Sequence, residues 1–385
     1  MNSNLLRYLL VLLACHAVPG SAFFQSPSLF SRSSHRPSAI VHERRNLLNT
    51  NADGTPFLWL PQDEYSGTTF FDRFQFYTDS DPTKGTVTYV NATTAFASRL
   101  AYFGDDGTVF MQGDNTTWLP QGTNRNSVRI TSNTVYNTGL FILDLNKAPW
   151  GCAVWPAFWT LGTGDWPTNG EIDVLEGVHD NEHNQVAFHT LDGCYLTPTV
   201  NISGQVVGTN CDANINDNAG CAVTDWSRAS YGPYFESQGG GVFAMKWDEN
   251  GISVWSFFRA AIPQDIISGS PDPSKWGIPS AALDPAGCDI GKYFANHSII
   301  FDITFCGDWA GNSYATTPSC PGTCPERLMD PNNFVNATWS INSLKVYRKQ
   351  LLIGKITNGS PITQLDWVML STWILVGVTT LATLY

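Results

Sequence analysis

Between about residues 50 and 357, apolar side chains recur mainly at every second position, in short runs. Clear cases are 85–90, 127–131, 140–143, 251–258 and 298–304. Each is rich in β-branched and aromatic residues and is bounded by Gly, Asn, Asp or Pro. A period of two sends alternate side chains to opposite faces of an extended chain, so these runs predict strands. Long helical periodicity is absent. Many short strands separated by turn residues predict an all-β domain, a sandwich or jelly roll, over 50–357. Most of the chain's 14 tryptophans are assigned to its core by default.

The two ends follow other patterns. Arg7 stands before an apolar run at 9–14, and Pro19, Gly20, Ser21 and Ala22 form a small-residue exit. Residues 1–22 therefore read as an export signal. Residues 23–49 hold many Ser and Arg and few apolar side chains, the composition of a disordered leader or pro-segment, with the dibasic Arg44-Arg45 as a candidate processing point. At the other end, 367–385 carries no charge and has 19 residues, close to the roughly 20 that span a bilayer. Asn358, Gly359 and Ser360 precede it with a short spacer. That order predicts a glycosylphosphatidylinositol (GPI) anchor signal over 358–385, with a plain transmembrane helix as the alternative. Either places the protein at the outer face of a membrane, at the cell surface.

Cysteine usage agrees with export. Without Cys15, eight remain, an even number that suggests disulfides. Eight cysteines allow 105 pairings, so spacing suggests only the near pairs Cys211/Cys221 and Cys320/Cys324. Asn-X-Ser/Thr acceptors stand at Asn91, Asn115, Asn201, Asn296, Asn336 and Asn358. The formal charge is −12 and no basic run is present. This argues against nucleic acid as a partner and is compatible with a neutral polysaccharide.

Three acids in one short strand carry the chemistry. After the Asn169-Gly170 turn signal comes Glu171-Ile-Asp173-Val-Leu-Glu176. Alternation puts Glu171 and Asp173 on one face and Ile172 and Val174 on the other. One extra residue near Val174-Leu175, a β-bulge, would return Glu176 to the acidic face. Two carboxylates about 5–5.5 Å apart can cleave a glycosidic bond with retention, and crowding raises at least one pKa, as a general acid requires. The competing readings are an exposed acidic edge or calcium ligands. Upstream, Trp155 and Trp159 share a face and Trp166 follows in a loop, offering aromatic surface to sugar rings. Downstream, Gln185, Ala187 and His189 share a face, so a strand paired beside the acids would bring His189 into the same groove.

Trp155-Pro-Ala-Phe-Trp159, Gly170-Glu-Ile-Asp-Val-Leu-Glu-Gly-Val178 and Cys306-Gly-Asp-Trp-Ala-Gly311 resemble glycoside hydrolase family 16, in particular the fungal laminarinase-like endo-β-1,3(4)-glucanases. The resemblance runs from about 55 to 348. It implies a concanavalin A-like β-jelly-roll sandwich with a substrate cleft across its concave sheet. It implies Glu171 as nucleophile, Glu176 as acid/base, Asp173 as assistant and His189 as support. Trp159, Trp166 and Trp309 are expected to line the cleft. The implied activity is retaining endo-hydrolysis of β-1,3-glucan, with a glucan transglycosylase or a non-catalytic glucan-binding protein as alternatives. The mechanism requires no cofactor, no metal ligand set is read from the chain, and a monomer is expected.

Overall fold

The computed structural model describes residues 49–51 and 53–352. The expected export signal, dibasic site and C-terminal anchor lie outside the described residues. So does the expected leader, except for its last residue, Asn49, which pairs with Phe57. Among the described residues no helix is long and apolar enough to cross a membrane.

Two curled antiparallel sheets stack face to face. The outer sheet contains β1 (Asn49–Thr50), β2 (Pro56–Ser66), β5 (Ala101–Phe103), β6 (Val109–Gln112), β9 (Gly139–Lys147), β15 (Gly241–Asp248), β16 (Gly251–Phe258), β17 (Ala281–Leu283) and β19 (Thr338–Leu351). The inner sheet runs in the order β13-β14-β12-β11-β10-β18-β8-β3. Its members are β3 (Phe74–Phe76), β8 (Arg129–Tyr136), β10 (Val154–Gly162), β11 (Glu171–Glu176), β12 (Gln185–His189), β13 (Gln205–Val206), β14 (Cys221–Thr224) and β18 (His297–Phe305). A small parallel pair, β4 (Val87–Tyr89) and β7 (Arg125–Ser127), completes the set. The run expected at 127–131 is thus divided between β7 and β8. Helices among the described residues run to seven residues at most, which fits the missing helical period.

Alternation explains the layering. In β9, Phe141, Leu143 and Leu145 point into the core between the sheets, while Leu140 and Ile142 join a second cluster with Trp255 and Trp276 on the outer side. In the inner sheet, Ile172, Val174, Phe158, Phe188 and Phe301 face the same central core. Phe301 stacks on Phe158 at 4.7 Å and meets Trp339 of the outer sheet edge-on at 5.5 Å. Such aromatic contacts lock one sheet against the other. Full burial of one face of β11 leaves its other face, with the acids, for the concave side.

Four disulfides tie down the loops: Cys152–Cys320, Cys194–Cys288, Cys211–Cys221 and Cys306–Cys324. Cys211/Cys221 is paired as expected. Cys320/Cys324 is not. The turn between them sends each thiol to a different partner, Cys320 to the loop before β10 and Cys324 to the end of β18.

Candidate active site

The Asn169-Gly170 turn begins the site. Gly170 has φ +77°, and a Cβ there would meet Tyr293 O at 2.5 Å, so only glycine fits. β11 then pairs with β10 on one side and β12 on the other. Glu171 lies between Leu161 and His189, Asp173 between Trp159 and Ala187, and Glu176 between Ala157 and Gln185. From Asp173 to Glu176 takes three steps on β11, but from Ala187 to Gln185 takes two on β12. That is the expected bulge. It returns Glu176 to the face of Glu171 and Asp173, and all three open into one cleft of about 640 Å³.

Each carboxylate has its own holder. Trp166 Nε1 donates to Glu171 Oε2 at 2.8 Å, and Trp155 Nε1 donates to Glu176 Oε1 at 2.8 Å. His189 Nε2 lies 3.2 Å from Asp173 Oδ2, an ion-pair contact outside the alignment of a hydrogen bond. His189 Nδ1 lies 2.9 Å from Asn218 Oδ1. Both ring nitrogens thus face oxygens that only accept, which favours the doubly protonated imidazolium.

Asn218 reaches His189 from a loop closed by Cys211–Cys221. Asn216, Asp217 and Asn218 all adopt positive φ, of 52°, 53° and 64°. Asn and Asp tolerate that region better than other side chains. Gly220, also at positive φ, allows the close approach, since a Cβ there would meet the His189 ring at 2.8 Å.

The electrostatics raise both glutamates. Burial, followed by the charge of Asp173, pushes Glu171 up to about 7. The same two causes push Glu176 well above the carboxylate range. Burial alone would lower His189, but Asp173 and the charge of Glu171 override it and hold the ring at about 9. An imidazolium is therefore built into the acidic row and limits the repulsion within it. The nearest oxygens of Glu171 and Asp173 and a His189 nitrogen lie within 4.8 Å of one another. These are metal-ligating residue types, but a doubly protonated ring has no lone pair to offer.

The aromatic residues take different places. Trp166 is 42% exposed at the cleft edge. Trp309 sits on the turn Gly307–Gly311, edge-on to Trp155 at 5.8 Å, and lines the cleft. Trp159 is only 8% exposed and forms floor, with the Arg129 guanidinium over its ring at 5.0 Å.

Sequence reasoning placed Trp155 on the face of Trp159 but did not connect it to Glu176. Nor did it single out Arg129, Asp302, Asn184 or Asn218. Asp302, pushed up to about 7 by burial and held back by Arg129, lines the same cleft. Lone Asn and Arg residues carry no motif signal. Only the register, in which Asp302 stands directly opposite Arg129, exposes the pairing.

A jelly-roll sandwich with a bulged Glu-X-Asp-X-X-Glu strand on its concave face defines a glycoside hydrolase. Comparison places the chain within that class. Residues 74–347 match the family model described as the XgeA-like catalytic GH16 domain, and the chain belongs to glycoside hydrolase family 16. It is 46% identical over 289 residues to a probable glycosidase, C21B10.07, of Schizosaccharomyces pombe, covering 74% of this chain and 68% of that protein. It is 39% identical over 312 residues to an endo-1,3(4)-beta-glucanase of Arthroderma benhamiae, covering 79% and 68%. Among solved structures, laminarinase 16A of Phanerochaete chrysosporium with bound beta-glucans superposes with a TM-score of 0.73 at 40% identity, over 75% of this chain and 99% of that one.

Proposed function

We propose that this enzyme is an endo-acting β-1,3-glucanase that works by double displacement. The observation that carries the reading is the β11 bulge, which puts Glu171 and Glu176 on one face with Asp173 between them. In the first step a Glu171 oxygen attacks the anomeric carbon as the bond to the leaving sugar oxygen breaks. Glu176 gives its proton to that oxygen. In the second step water attacks the same carbon, Glu176 takes the water's proton, and Glu171 is released. Burial raises Glu176 well above the carboxylate range, which suits an acid that must hold its proton. Asp173 and the His189 imidazolium set the charge around both.

A polyhydroxylated ligand suits the rest of the cleft. Gln185, Asn218, Asp302 and Thr304 line it and supply donors and acceptors for sugar hydroxyls. Trp166 and Trp309 offer ring faces to the apolar side of a glucan. The similarity to laminarinase 16A, solved with 6-O-glucosyl-laminaritriose, supports a β-1,3-linked backbone. Four disulfides support action outside the cell. Anchoring through 358–385 would hold the enzyme at the cell surface, and release by a phosphatidylinositol-specific phospholipase tests it.

The test of function is digestion of laminarin beside mixed-linkage glucan, with products separated by size. Short oligosaccharides from laminarin are expected. Products longer than an added oligosaccharide acceptor would instead identify transfer, and binding without cleavage or transfer would overturn the enzymatic reading.

A further inference from the structure

A β-bulge strands ladder groups, because two residues face one on the partner strand. In β11 the affected groups are the Val174 carbonyl and the Glu176 N–H. Both are taken by one side chain. Asn184, the residue before β12, accepts from Glu176 N–H with Oδ1 at 2.8 Å and donates from Nδ2 to Val174 O at 2.9 Å. The two ends of the bulge are thereby clamped by a single amide.

Asn184 is itself firmly held. It is 1% exposed. Its N–H donates to Ser230 Oγ at 2.9 Å, and its carbonyl accepts from Asp225 N–H at 2.8 Å. Ser230 Oγ in turn donates to Ser227 O at 2.7 Å. A carboxylate at 184 would only accept, and an alkyl group would do neither. The amide therefore has a specific task at this position, and the atoms it grips belong to the backbone that aims Glu176.

We propose that Asn184 is a positioning residue for the acid/base: it fixes the bulge that returns Glu176 to the face of Glu171, without touching the reacting atoms. This rests on the assignment of Glu176 made above. A side chain that merely supports the fold lowers activity on every substrate alike when it is changed. A side chain that aims the acid affects only the steps in which a proton moves.

The experiment compares full-length wild type, Asn184→Leu, Asn184→Asp and Glu176→Ala on two substrates. One is laminarin, whose leaving sugar needs a proton. The other is 2,4-dinitrophenyl β-laminaribioside, whose leaving group departs without one. For Asn184→Leu, kcat/KM on laminarin is expected to fall about 100-fold or more, the scale of acid catalysis, and to stay within about 3-fold on the aryl glycoside. On that second substrate azide should raise its kcat, since azide needs no general base. Equal losses on the two substrates, or no loss on laminarin, overturn the proposal. If Asn184→Leu does not fold, the near-isosteric Asn184→Asp decides. It keeps the acceptor, loses the donor and adds negative charge beside Glu176. The same split, with the alkaline limb of the pH profile moved upward, is expected. Equal losses with an unmoved limb contradict it. Should Glu176→Ala itself show no split, the acid/base assignment falls, and the role of Asn184 with it. A split in Glu176→Ala alone removes only Asn184.

Discussion

Glu171 stands directly opposite His189 across the β11–β12 ladder. The ring also lies 3.2 Å from Asp173, so one cation serves two anions. Its charge lowers the pKa of both Glu171 and Glu176, while that of Asp173 raises both. Removing either group should therefore move the bell-shaped pH profile in opposite directions. His189→Gln is expected to shift both limbs to higher pH and Asp173→Asn to lower pH, by roughly half a unit or more. The pH dependence of kcat/KM on laminarin checks this, and shifts of the same sign would contradict the charge balance. Asp173→Asn should also lose less activity than alanine at either glutamate.

Raised carboxylate pKa values make the site a cost to the fold. A carboxyl whose folded pKa exceeds its unfolded value destabilises as pH rises through the window between them, here from the ordinary carboxylate range to about 7 for Glu171. Glu171→Gln removes that penalty. Its melting temperature should match wild type near pH 4 and exceed it by roughly 2 °C or more at pH 8. Calorimetry across that range checks the sign, and a variant less stable at pH 8 would contradict it.

The two indole donors should be separable by site. Trp166→Phe keeps a ring at the cleft edge but removes the hydrogen bond that lowers the Glu171 pKa. The acidic limb should rise and kcat should fall by roughly tenfold, about the worth of one hydrogen bond to a charged group. Trp155→Phe removes the corresponding bond to Glu176 and should raise the alkaline limb. Matched profiles on laminarin distinguish the two, and an exchange of limbs would contradict the pairing.

Cys306–Cys324 holds the root of the turn that carries Trp309. Replacing both cysteines by serine should cost about 2–5 kcal/mol of stability. If Trp309 is the sugar platform proposed above, it should also raise KM for laminarin more than it lowers kcat, because that platform is loosened while the acids stay in place. Denaturant unfolding and steady-state kinetics read the two effects separately. An unchanged KM would remove Trp309 from the substrate's path.

The sequence made the acidic strand legible because a period of two is a strong rule. Once Glu171 and Asp173 share a face, Glu176 reaches it only through a bulge, and the bulge is where it was expected. His189 followed from the same rule applied to the next strand. Trp159 was legible as a cleft residue but not as one almost fully covered, since burial depends on Arg129 from β8. The disulfides were mostly hidden. Three of the four join positions 18 to 168 residues apart, and only topology brings those together. Asn184 and Asn218 were invisible for a related reason. Their roles lie in contacts with backbone and ring atoms on other segments, and nothing local to an asparagine announces them.

The assignment of the two glutamates is the central claim, and azide rescue tests it most directly. Glu171→Ala and Glu176→Ala would each be supplied with 2,4-dinitrophenyl β-laminaribioside and azide, and the anomeric configuration of the sugar azide read by NMR. With Glu171 as nucleophile, its alanine variant should yield the α-azide, formed by a single inverting attack. Glu176→Ala should yield the β-azide, formed on the intact glycosyl-enzyme. Exchanged configurations would reverse the roles, and near-normal laminarin hydrolysis by either variant would remove that residue from the chemistry.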